Sequence, residues 1–227
     1  MKREIITTSD GSTTIHLPEW NEQYHSKHGA IKEAEHVFIK NGLQQFTDRT
    51  NINILEIGYG TGLNCFITFL EVQKTNIIIN YVGVEAYPVK QDEIQKLNYV
   101  TKLKAKTFAE VFLAMHTLPW NIKHDLNANF TLTKRQQFFD EIEDVEFFDL
   151  IYFDAFGARV QPELWTVAIF QKMYNALKSN GILVTYSAKG SVRRAMQEVG
   201  FVVERLPGPP GKREMLRASK RNFLRKT

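Results

Sequence analysis

Hydrophobic positions in this chain fall into short unbroken runs, separated by segments with helical spacing. That is the pattern of buried parallel strands alternating with helices. The runs at Ile52–Ile57, Ile77–Val84, Phe147–Phe153 and Gly181–Ser187 read as strands, with a shorter one at Phe130–Lys134. Helices are expected over Ala30–Lys40 (Ile31, Ala34, Val37 and Phe38 on one face), Cys65–Gln73, Asp92–Tyr99, Phe108–His116 and Ser191–Val199. Residues 88–128 as a whole read as helical. A further helix opens at Pro162, runs to about Lys178 and is closed by Gly181. Phe201–Leu206 and Glu214–Ala218, joined by Pro207-Gly208-Pro209-Pro210-Gly211, predict an antiparallel hairpin at the sheet edge. At the other end, residues 2–18 predict a hairpin around Ser9-Asp10-Gly11-Ser12. The expected organisation is an extension over residues 1–50, packing on the ligand side, and an α/β domain over 51–227.

Glu56-Ile57-Gly58-Tyr59-Gly60-Thr61-Gly62-Leu63-Asn64 carries the first chemistry. Glycines let the backbone turn sharply and approach a ligand, and the helix that follows presents free N–H groups. The spacing is neither that of a dinucleotide turn nor that of a triphosphate loop. Glu56 offers a counter-charge to an ammonium, which S-adenosylmethionine (SAM) has and a pyrophosphate lacks. The Glu-x-Gly-x-Gly-x-Gly pattern resembles motif I of the class I SAM-dependent methyltransferases. A strand–helix connection without a ligand is the plain alternative. Glu85-Ala86 ends the next strand, where a carboxylate holds a ribose diol. Asp154 ends the Phe147–Phe153 strand and would face the same crevice. No adenine contact is identifiable at Arg135-Gln136-Gln137.

Five blocks in order carry a closer resemblance: residues 56–64, Tyr-Phe-Asp-Ala-Phe-Gly (152–157), Pro-Glu-Leu-Trp (162–165), Tyr-Ser-Ala-Lys-Gly-Ser-Val-Arg-Arg (186–194) and Gly-Lys-Arg-Glu-Met-Leu (211–216). With residues 24–38, they look like the methyltransferase domain of the bifunctional tRNA enzyme that makes 5-methylaminomethyl-2-thiouridine. The resemblance implies a Rossmann-like, mostly parallel seven-stranded sheet with a terminal antiparallel hairpin. It also implies SAM as cofactor and N-methylation of the 5-aminomethyl group on the wobble (2-thio)uridine of tRNA. A FAD-dependent domain has no room here, so the stand-alone methyltransferase form is expected.

The expected cofactor residues are Glu56, Gly58, Gly60, Thr61, Gly62, Asn64, Glu85, Ala86 and Asp154. Asp154 is the catalytic candidate, binding the amine and accepting or relaying its proton. Tyr24, Phe156, Trp165 and Tyr186, and also Trp120, are candidates to line the pocket or stack on a splayed base. Lys189, Arg193, Arg194, Lys212 and Arg213 are candidates for phosphate contacts. His25, Ser26 and His36 are weaker pocket candidates.

Composition adds three constraints. One cysteine, Cys65, excludes an internal disulfide and is expected to be a buried packing residue. The start lacks the apolar stretch of a signal peptide, so a cytoplasmic protein is expected. The net charge of +4 is uneven: residues 187–227 hold eleven Lys or Arg against three Glu, which suggests a polyanion-facing end. A monomer without metal, contacting tRNA and no membrane, is expected. The alternatives are a methyltransferase or aminopropyltransferase acting on a small amine, or a non-enzymatic RNA-binding protein on the same fold. The basic end speaks against the former and the intact motif residues against the latter.

Overall fold

The computed structural model describes residues 2–221. Strands β1 (Glu4–Thr7) and β2 (Thr13–Leu17) form the expected hairpin. Its turn is held by Asp10, whose Oδ1 accepts from the Thr8 hydroxyl (2.8 Å) and the Ser12 N–H (3.0 Å). A two-residue strand β3 (Glu22–Gln23) pairs with β2. Helix α1 (Ala30–Ala34) then widens into a π-helical segment, Glu35–Lys40. The wider turn accompanies burial of three consecutive residues, Val37, Phe38 and Ile39, where a regular helix would turn one of them outward.

The main domain runs β4 (Asn51–Ile57), α2 (Leu63–Val72), β5 (Ile78–Val84), α3 (Gln91–Ile94), α4 (Tyr99–Lys102), α5 (Ala109–Thr117), β6 (Lys123–Asn127), β7 (Phe130–Arg135), β8 (Phe148–Phe153), α6 (Val167–Ala176), β9 (Leu177–Thr185), α7 (Gly190–Glu198), β10 (Val202–Pro207) and β11 (Glu214–Ser219). Its sheet has the order β10-β11-β9-β8-β4-β5-β7-β6. The five strands from β9 to β7 are mutually parallel, and β11, β10 and β6 are antiparallel additions.

Three expectations are corrected. β6 is a strand within residues 88–128, which read as helical, and it makes the sheet eight-stranded where seven strands are expected; it alternates weakly and lies on the outer edge, so no buried face marks it. The helix expected over 92–99 is split because Asn98 is tied to the first hairpin. Its side chain accepts from Thr13 N–H (2.9 Å) and donates to the Gly11 carbonyl (3.0 Å). The helix expected from Pro162 to Lys178 is also broken. Pro162–Trp165 makes one tight turn, Thr166 caps α6 by accepting from Ile169 N–H, and β9 begins at Leu177. Gly181 therefore lies inside a strand, beside a register shift against β8, where a Cβ would come within 3.1 Å of the Asp149 carbonyl oxygen.

Both faces of the sheet are covered. Phe38, Phe66, Phe69, Tyr81 and Tyr152 pack with the extension, α2 and α5 on one face. Leu55, Ile57, Phe153, Phe170, Met173 and Met196 pack with α6 and α7 on the other. Cys65 is fully buried. No helix among the described residues is long and apolar enough to cross a membrane.

Gly83, in β5, leaves room for the ring of Tyr59, a residue of the glycine-rich turn. A Cβ at Gly83 would lie 2.2 Å from that ring, and Tyr59 is pinned by its hydroxyl donating to the Met115 carbonyl (3.1 Å). Gly83→Val is expected to lower the stability measured by urea unfolding by about 1–3 kcal/mol through overpacking. An unchanged midpoint would show that Tyr59 can move aside freely.

Candidate active site

The turn after β4 is built as its glycines suggest. Gly58, Gly60 and Gly62 all have positive φ, at 85°, 48° and 69°, a region that side chains with a Cβ seldom adopt. Space is equally limiting at all three, with the His116 ring 3.0 Å from a Cβ on Gly62. A Cβ on Gly58 would lie 2.7 Å from the Asp154 carbonyl oxygen, and one on Gly60 would lie 3.0 Å from the Tyr24 ring. The turn is clamped from below, where Gly58 N–H and Tyr59 N–H both donate to the Val84 carbonyl at 3.0 Å. From the side, Tyr99 donates its hydroxyl to Thr61 Oγ1 (3.1 Å), which also lies 3.5 Å from His25 Nε2. Burial lowers the His25 pKa to about 4, so this imidazole is neutral.

Three acidic side chains stand around the turn in different states. Glu85, at the tip of β5, accepts Gly60 N–H on one oxygen and Tyr87 N–H on the other, each at 3.0 Å. Burial raises its pKa, and those backbone donors oppose the rise. Glu56 is fully buried, accepting from Asn64 Nδ2 and the Tyr81 hydroxyl, both at 2.9 Å. Burial pushes its pKa well up. Asn64 Nδ2 also donates to Asp154 Oδ2 at 2.8 Å. Burial, then the charge of Glu33, raises the Asp154 pKa to about 7, opposed by the Asn64 hydrogen bond and Lys212.

These groups border a cavity of about 1210 Å³ at the C-terminal ends of the parallel strands, the expected ligand position in an open α/β sheet. Gly58, Gly60, Glu85 and Ala86 line one side, and Asp154, Ala155 and Phe156 another. The extension supplies Arg3, Leu17, Trp20, Tyr24 and His25. Phe156 meets Tyr24 and Trp20 edge-on, with centroids 4.9 and 5.8 Å apart.

The family of S-adenosyl-L-methionine-dependent methyltransferases matches residues 95–221. This chain belongs to that family. Its relatives include the tRNA 5-methylaminomethyl-2-thiouridine biosynthesis bifunctional protein MnmC of Aromatoleum aromaticum, 30% identical over 96% of this chain and 35% of the relative. The protein of the same name from Burkholderia thailandensis is 28% identical over 93% of this chain and 34% of the relative. The chain thus spans about a third of the length of these curated relatives. Among solved structures, MnmC2 from Aquifex aeolicus shares the fold with a TM-score of 0.79 at 24% identity, covering 97% of this chain and 70% of that one. Spermidine synthase from Thermotoga maritima shares it more distantly, with a TM-score of 0.58 at 16% identity over 96% and 69%.

SAM is accordingly the cofactor of this methyltransferase, and the site's chemistry fits it. The glycine turn leaves room for close backbone approach. Glu85 retains lone pairs for a diol, since each oxygen takes only one backbone donor. The cavity also exceeds the roughly 300–1,000 Å³ of a typical small-ligand site, leaving space for a second ligand. No group of three or more His, Cys, Asp or Glu among the described residues could hold a metal ion.

The structure sorts the remaining expected residues. Gly58, Gly60, Glu85, Ala86, Asp154, Tyr24 and Phe156 reach the cavity, whereas Glu56, Thr61, Gly62 and Asn64 stand behind it. Glu56 is therefore corrected from an ammonium partner to a buried anchor, because it is fully buried away from the cavity, with its oxygens turned to Asn64 and Tyr81. Trp165 is corrected too. It is core, packed on Phe153 and Phe170, and its Nε1 donates to the Phe156 carbonyl at 2.7 Å. Trp120 packs against Tyr59 and Lys134. Tyr186 has one face taken by Lys212 and donates its hydroxyl to the Ala155 carbonyl at 2.8 Å. Lys212 points inward to Glu33 rather than outward to a phosphate.

Lys189, Arg194 and Arg213 are exposed, Arg193 is half-buried, and none forms an ion pair among the described residues. His25 reaches the cavity, Ser26 accepts from His28 N–H (3.2 Å), and His36 Nε2 lies 2.8 Å from the Pro207 carbonyl oxygen. Arg135, in the region where no adenine contact was identifiable, pairs with Asp144, while Gln136 lines the cavity. Glu33 and Tyr81 were not foreseen. Tyr81 reads only as one more apolar position in a strand, and nothing local marks Glu33. The last part of the basic end, residues 222–227, lies outside the described residues.

Glu85→Ala removes the carboxylate at the cavity wall and frees two backbone N–H groups. It is expected to weaken SAM binding measured by calorimetry by about 10–100-fold, the size of a charged hydrogen bond. Binding equal to wild type would remove Glu85 from the cofactor site.

Proposed function

We propose that this chain transfers the methyl group of SAM to the 5-aminomethyl nitrogen of wobble (2-thio)uridine in tRNA. The observation that carries the reading is Asp154. This carboxylate, with a pKa near 7, lies on the cavity wall beside the glycine turn and Phe156. Gly58, Gly60, Glu85 and Ala86 contact the cofactor, with Glu56, Thr61, Gly62 and Asn64 fixing the turn and Asp154 from behind.

An alkyl amine with a pKa of about 10 arrives mostly protonated. Asp154 takes a proton from the ammonium, and the amine lone pair is freed. Nitrogen then attacks the methyl carbon of the sulfonium, the carbon–sulfur bond breaks and its electron pair stays on sulfur. The product leaves as a secondary ammonium. The aromatic rim of Trp20, Tyr24 and Phe156 gives a splayed base apolar surface.

Lys189, Arg193, Arg194 and Arg213 would meet the phosphates. Lys189 is the N-cap of α7, and Arg193 and Arg194 are its fourth and fifth residues, close to the end where the helix dipole disfavours cations. An anion brought there would be favoured by the dipole and the side chains together. The named relatives support the tRNA substrate. Within this reading the protein acts as a cytoplasmic monomer without metal, and residues 1–50 form the cover on the cofactor side.

Purified protein given SAM and tRNA bearing the free aminomethyl group is expected to add one methyl, detected by mass spectrometry of the nucleosides. Asp154→Ala should lower kcat by about 10²–10⁴ while SAM still binds. Because Asp154 must be ionised to act, kcat for wild type should rise through pH 7. A protein that binds SAM but leaves the nucleoside unchanged, and instead methylates a free polyamine, would move the reading to small amines.

A further inference from the structure

Beside Asp154 the two ends of the chain meet. Glu33 of α1 and Lys212 of the β10–β11 loop, 179 residues apart, form an ion pair. Glu33 is 5% exposed and its other oxygen accepts Ser26 N–H at 3.0 Å. The Lys212 ammonium lies 3.7 Å from the centroid of the Tyr186 ring, and Tyr186 in turn holds the carbonyl of Ala155, the residue next to Asp154. Taking Glu33 and most of Lys212, 30% exposed, out of water costs desolvation, and apolar side chains often close such a gap without loss of stability. The loop is already joined to α1 by the His36–Pro207 contact. The position of this pair, against the Tyr186 ring that holds the residue next to the half-buried Asp154, points to a role for its charges.

We propose that the Lys212–Glu33 pair sets the charge balance at Asp154, the lysine favouring and the glutamate opposing its ionised form, and so decides how readily this carboxylate takes the proton of the incoming amine. Both are positioning residues, acting through Asp154. The inference rests on the N-methyltransferase reading for its amine, while the electrostatic pairing itself does not.

The groups that face Asp154 come from several elements. Glu56 and Asn64 reach it from β4 and α2, Glu33 from α1, Lys212 from the loop, and Tyr186 from the end of β9. His25 faces the pair itself and is neutral, and Glu22 of β3 faces Tyr186. Of these, Glu33 works against the charged form of Asp154, and Asn64 and Lys212 favour it. Lys212 also excludes a second cation from the aromatic face by like-charge repulsion, so an amine that has given up its proton is the better-accommodated form.

The test uses opposite-sign shifts. Lys212→Met should move the Asp154 titration midpoint, read by ¹³C NMR of the side-chain carboxylate, upward by about 0.5 unit or more. Glu33→Gln, which keeps an acceptor for Ser26, should move it downward, and Lys212→Arg should leave it near wild type. The acid limb of kcat for methyl transfer to aminomethyl-tRNA should follow in the same directions. A purely structural pair would lower activity in both variants while leaving the midpoint and the limb in place, and that result overturns the inference. If Glu33→Gln does not fold, the contrast between Lys212→Met and Lys212→Arg decides alone. If wild type transfers no methyl while the midpoints shift as stated, the tRNA reading fails and the charge pair stands.

Discussion

A carboxylate shut away from water has to be hydrogen-bonded on its oxygens or give up its charge, and Glu56 meets that demand with Tyr81 and Asn64. The consequence reaches beyond Glu56. The amide of Asn64 that satisfies it also donates to Asp154, so the base of the glycine turn and the end of β8 are held to one another by a single side chain. Tyr81 locks the other end of this chain from within β5. Three neighbouring strands and α2 are thereby tied at the level where ligands bind. Local adjustment of any one would leave a buried polar group unpaired, at about 1–3 kcal/mol.

On this base the extension provides a wall that the main domain lacks. Tyr24 packs where a side chain on Gly60 would be, and His25 sits against Thr61. The loop between β10 and β11 reaches the same place from the other end of the chain through Lys212. The cavity itself is bounded by segments far apart in sequence, from Arg3 of the extension to Ile169 of α6. Desolvation raises the pKa of Asp154 and of Glu85 for this reason. What an open strand end would leave as an ordinary surface carboxylate becomes a group able to exchange a proton near neutrality.

Charge is distributed to match these two tasks. Acidic groups gather inside the cavity, where a sulfonium and an amine would be attracted. Cations without ion-pair partners among the described residues stand outside it on α7 and the β10–β11 loop. On that loop Lys212 turns inward to Glu33 instead, and Arg3 and Lys90 border the cavity itself.

The parallel core strands, the glycine turn and the strand-end positions of Glu85 and Asp154 were legible in the sequence, because buried strands need unbroken apolar runs and a tight turn needs residues without Cβ atoms. These are local demands, written into neighbouring positions. The edge strand Lys123–Asn127, half exposed and without a buried face, left no such trace. The same holds for the break at Asn98 and the early end of α6, where contacts from distant hairpins and strands overrode helical spacing. Roles were harder still. Trp165, Tyr186 and Lys212 belong to residue types suited to stacking or phosphate contact, and only packing showed them turned into the protein. By itself the sequence determined which chemistry could be present and at which strand ends. Which side chains face the cavity, and which charge stands beside Asp154, was decided by tertiary structure, since direction and burial depend on partners as far away as Glu33 and Lys212.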